Sequence, residues 1–162
     1  MKLEYLIPLL VFFPLLLVQI IIVPLISIEG FLPDLLLILL IFYTLRKGQL
    51  YGTVLGFVFG LFIDLITGSL LGSTMFSKTL TGFIAGYFYN ENKIDIYLKS
   101  YTFLLIILLS SIIDNIALTL ITSFDYESNL LSLLFERSMI PVFYTVTIGA
   151  VVMIFYPQRK YI

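Results

Sequence analysis

Apolar residues run along this chain in long uncharged stretches separated by short polar links. The first stretch, Tyr5 to Ile28, holds one clearly polar side chain, Gln19, and is long enough for a membrane crossing, which takes about 20 residues. It lacks the short apolar core and small-residue cleavage site of a signal peptide, so it reads as a span. Pro14 and Pro24 each remove a helical hydrogen bond, which predicts kinks. Further apolar runs cover Leu35 to Leu45, Leu50 to Ile66, Ser77 to Tyr89, Ser100 to Ser123 and Met139 to Tyr156. The predicted fold is an all-α integral membrane protein, a bundle of six transmembrane helices. The second run is the shortest. Starting it at Pro33 and letting Arg46 and Lys47 snorkel lengthens it, while a re-entrant segment fits as well. The fourth extends back toward Leu70.

Charge placement orients these runs, because Lys and Arg gather on the cytoplasmic side. With the amino terminus inside, Lys2, Arg46, Lys47, Lys93, Lys99, Arg159 and Lys160 are cytoplasmic, leaving Lys78 and Arg137 outside. Both termini are then cytoplasmic, and the acidic segments Glu29 to Asp34 and Asp125 to Glu127 face outward. Tyr5, Tyr43, Tyr51, Tyr87, Tyr89, Tyr97, Tyr101, Tyr156 and Tyr161 fall near cytoplasmic ends, as an interfacial belt would. In the longest link, Phe124 to Ser138, the segment Leu130 to Phe135 suits a short helix lying in the outer interface. No link is long enough to fold alone, so residues 1–162 are expected to form a single membrane domain.

Composition sharpens this picture. The chain is 60% apolar and 12% charged, against about 45–50% and about 25% in soluble domains. A net charge of −1 provides no footprint for nucleic acid. His and Cys are absent, which removes the usual imidazole and thiolate metal sites, a Cys nucleophile and a His base. No catalytic, metal or cofactor residues are expected.

The most informative segment places special residues at every fourth position: Gly52, Gly56, Gly60, Asp64, Gly68 and Gly72. Each four-residue step overshoots a helical turn by about 40°, so these positions wind slowly along one side. Glycines there let another helix approach closely, either within the bundle or from a partner. Gly82 and Gly86 continue a similar spacing from Lys78. Asp64 needs a bundle interior, a polar cavity or a partner, since lipid-facing carboxylates are costly. If the two glycine faces meet, Asp64 and Lys78 are expected close together or bridged by water; the alternative is that Lys78 snorkels outward. Pro33-Asp34 suits a helix start. Asp114-Asn115, near the middle of the fifth run, must be protonated, hydrogen-bonded or paired, and serves either polar packing or a ligand pathway.

The first 90 or so residues resemble the family of the rod-shape-determining protein MreD. The resemblance lies in the apolar first span with Gln19, the run Pro33-Asp34-Leu35-Leu36-Leu37, the basic turn Arg46-Lys47-Gly48, and the ribbon from Gly52 through Asp64 to Gly68 and Leu71-Gly72. It implies a non-enzymatic inner-membrane subunit of the bacterial cell-elongation machinery. The partners it implies are the single-span periplasmic protein MreC, the filament MreB, RodA and penicillin-binding protein 2. Lipid is a further expected partner, and a homo-oligomer stays open. The family is also similar in fold to the substrate-binding components of energy-coupling-factor transporters, which gives a rival reading with Asp64 or Asp114 lining a pocket. Those components commonly carry an Ala-x-x-x-Ala pattern in the first span, and residues 1–28 contain no Ala.

Overall fold

A computed structural model describes residues 7–27, 31–122 and 130–155. The described residues form helices: α1 (Ile7–Leu17), α2 (Leu35–Lys47), α3 (Gln49–Thr67), α4 (Ser73–Ala85), α5 (Ile94–Lys99), α6 (Tyr101–Thr122) and α7 (Leu130–Phe155). The chain termini, the acidic segment Asp125 to Glu127, and Glu29-Gly30 lie outside the described residues. Among the described residues three helical stretches, Ile7–Ile26, Gln49–Thr67 and Tyr101–Thr122, are long and apolar enough to cross a membrane, and Pro141–Ile154 is a shorter apolar helix.

The first span carries the irregularity its prolines predict. After α1 comes one wide π turn, Val18–Ile22, then a 3-10 turn, Val23–Ile26. Pro24 has no N–H to return to the preceding turn; just before it, the Val23 N–H reaches back to the Val18 carbonyl. Gln19 lies in this wide turn.

At 13 residues α2 rises only about 20 Å, short of a hydrocarbon core about 30 Å thick. Its setting explains why so short a helix suffices. Leu36 and Leu40 join Phe12 and Leu16 of α1 and Leu55 and Phe59 of α3 in one core cluster. Leu37, Ile38, Ile41 and Leu45 join Ala85, Leu98, Phe103, Ile106 and Ile107 in another. Apolar side chains of the bundle thus cover α2 on both flanks. Phe12 stacks on Phe59 with ring centroids 4.2 Å apart, which locks α1 to α3.

The glycine ribbon is occupied from inside the bundle. A Cβ at Gly56 would run into the Lys78 carbonyl, one at Gly60 into the Met75 backbone, and one at Gly82 into the Gly52 carbonyl. Backbones of α3 and α4 therefore touch, gaining the van der Waals contact that holds helices together where lipid competes for apolar surface. Gly52 meets Thr44 of α2, and Gly86 meets Gln49.

The hairpin between α3 and α4 turns on two left-handed residues, Gly68 (φ 66°) and Gly72 (φ 104°). At the opposite end Gly48 (φ 98°) reverses the chain from α2 to α3 beneath the Tyr89 ring. The segment Leu130 to Phe135, expected as a separate interfacial helix, is instead the beginning of α7, which runs unbroken through Pro141 to Phe155.

Candidate functional site

Lys78 stands at the centre of the bundle, 3% exposed. Its ammonium lies 2.5 Å from Asp34 Oδ2 and 2.5 Å from Asp114 Oδ2, which ties α4 to the start of α2 and the middle of α6. Thr81, one turn along α4, donates to Asp114 Oδ1 at 3.3 Å. Two carboxylates against one ammonium leave one excess negative charge when all three are ionised. Such a group is tolerated in an apolar bundle because each member is paired and Lys78 and Asp114 are enclosed by protein.

Asp34 does two jobs with its two oxygens. Oδ1 accepts the Leu37 N–H at 2.8 Å, the N-cap bond of α2 expected from Pro33-Asp34, while Oδ2 holds Lys78. A helix start held among apolar side chains needs its free N–H groups satisfied. Gln19 accepts the Leu35 N–H at 3.0 Å and donates its amide to the Pro33 carbonyl at 2.8 Å. Thr145 of α7 accepts the Asp34 N–H at 3.0 Å. Thus the π turn after α1, with α4 and α7, converges on the start of α2.

Asp64 and Lys78, expected close together or bridged by water, form no direct ion pair. Asp64, 2% exposed, closes the α3–α4 hairpin instead. It accepts the Ser69 hydroxyl at 2.9 Å and the N–H groups of Gly72 at 2.8 Å and of Thr74 and Met75 at 3.2 Å each. Its charge is met by the positive end of the α4 dipole. Lys78, a turn deeper, finds partners 44 and 36 positions away. It does not snorkel outward. Asn115 bonds the Ser111 carbonyl of its own helix at 2.8 Å.

Sequence reasoning missed Thr81, Thr145 and the Gln19 clamp. It also passed over Ser110 and Ser111, whose buried hydroxyls make no hydrogen bond. Gln19 gave a signal, as the one polar side chain of an apolar span. Thr145 gave none, since a span threonine commonly bonds its own helix, and this one also donates to the Pro141 carbonyl at 2.8 Å.

Beside the cluster is a cavity of about 330 Å³. Asp34, Lys78, Asp114 and Asn115 line its polar part, with Gln19 and Thr74 nearby. Ile20 and Leu32, each 38% exposed, contribute to its apolar wall. Among the described residues no group of three or more carboxylate, His or Cys side chains is placed to hold a metal ion.

A family model described as rod shape-determining protein MreD matches residues 1–156 of the 162-residue chain. The chain belongs to the MreD family. The match extends past the segment in which the resemblance was legible and takes in α6 and α7, hence Asp114 and Thr145 as well. MreD membership marks a rod-shape-determining membrane protein, in a family that is structural and not known for enzymes. It adds nothing to the transporter reading. No curated protein and no solved structure matches the chain.

Proposed function

We propose that this chain is a non-enzymatic, multi-pass inner-membrane subunit of the bacterial cell-elongation machinery, a scaffold that holds the transmembrane helix of an MreC-like partner beside the cell-wall synthases. The observation that carries this reading is the family match over nearly the whole chain. The fold supports it in a physical way. Short links and a bundle cross-tied at Lys78 suit a rigid platform acting through its lateral faces.

Because α4 fills the glycine ribbon, the partner helix meets a different face. Outward-facing Leu10, Leu17, Ile21 and Leu25 in the first span offer an apolar stripe for it. The basic turn at Arg46-Lys47 serves anionic lipid or an MreB-like filament at the cytoplasmic surface. The full reading has six spans, both termini inside, and one domain.

Single cysteines test the reading directly, because the chain has no native Cys. Cysteines at Leu10, Leu17 or Leu25 are expected to cross-link to the MreC-like partner's span, and cysteines at Phe83 or Leu105 are not. Unchanged rod shape in cells depleted of the protein would defeat the functional assignment itself.

A further inference from the structure

We propose that the cavity beside Asp34, Lys78 and Asp114 is a lipid-headgroup site that takes a primary ammonium, the group carried by phosphatidylethanolamine-type lipids. Size argues first. A cavity of about 330 Å³ lies at the lower end of the range of small-molecule sites, about 300–1,000 Å³, and suits a lipid headgroup.

Charge then selects the headgroup. With all three groups ionised the cluster carries one more negative charge than positive, so it attracts a cation and repels an anionic headgroup. Of the two carboxylates, Asp34 is the one turned toward open space, with its side chain 26% exposed against 5% for Asp114. One lone pair of Asp34 serves the Leu37 N–H and another serves Lys78, which leaves acceptor capacity, since a carboxylate offers about four sites. A primary ammonium brings three N–H donors to that oxygen pair, and a quaternary choline headgroup brings none. The approach is apolar where it should be: Ile20 and Leu32 stand exposed at the wall and suit the first segments of an acyl chain.

The test uses the full chain purified in detergent, so it does not depend on the elongation reading. Native mass spectrometry is run with phosphatidylethanolamine, phosphatidylcholine and phosphatidylglycerol of identical acyl chains. The ethanolamine lipid is expected to remain as a 1:1 adduct at least about tenfold above the other two. Asp34→Asn, which keeps an acceptor for the α2 cap but loses the charge, is expected to bring it down to the choline lipid's level. Leu118→Trp, which fills the cavity wall with all three charges intact, is expected to do the same. Equal retention of the three lipids, preference for the glycerol lipid, absence of an ethanolamine adduct, or an adduct indifferent to Asp34→Asn would each overturn the proposal.

Discussion

At the scale of single residues, five ionisable or amide side chains, Gln19, Asp34, Asp64, Lys78 and Asp114, do most of the tying, and each crosses between helical segments. Lys78→Met removes the ammonium from two enclosed carboxylates and is expected to cost about 3–5 kcal/mol, as measured by unfolding in mixed micelles. Asp114→Asn combined with it should cost less than the sum of the two single changes, because one of the stranded charges has gone. Asp64→Ala strands the first N–H groups of α4 and is expected to lower stability by about 2 kcal/mol in the same assay. The sequence made the burdens on Asp34, Asp64 and Asp114 visible, since an unpaired carboxylate in an apolar run demands a partner. It did not reveal which partner each has. Asp64 and Lys78 are close in sequence and flank one hairpin, so local reasoning paired them. The ring of backbone N–H groups at α4 was the nearer and cheaper counter-charge.

Among the elements, α3 and α4 behave as one unit because their backbones touch at Gly56 and Gly60. Even Gly56→Ala places a methyl against the Lys78 carbonyl and is expected to cost about 1–3 kcal/mol by overpacking. Gly68→Ala meets no neighbour at all, so its cost of about 1–2 kcal/mol is purely that of the left-handed backbone. The two mechanisms separate cleanly in a substitution to Ser: the larger side chain should worsen position 56 further and leave position 68 near its Ala value. The four-residue spacing makes this ribbon legible in the sequence itself, because close approach in lipid depends on small residues in register. The role of α2 was harder to read. An uncharged run that short looks deficient as a span, and only the tertiary setting, apolar cores on both flanks and caps from the first span and α7, shows it to be the buried axis.

For the whole molecule, helix content and apolar character were legible because composition and run length reflect the solvent directly. The meeting of Asp34, Lys78, Asp114 and Thr145 was not, since it joins four segments by contacts that leave no periodic trace. The proposed topology has a direct check. Cysteines introduced at Leu70 and at Glu91, both exposed, are expected to react with a membrane-impermeant maleimide from opposite sides. The order of charges along the chain also bears on biogenesis. Asp34 leaves the ribosome 44 residues ahead of the lysine it needs, a delay of roughly 2–9 s at about 5–20 residues per second. Throughout that interval Asp34 lacks the cation it meets in the finished bundle, so the early helices are expected to reach their final packing only after Lys78 has been made.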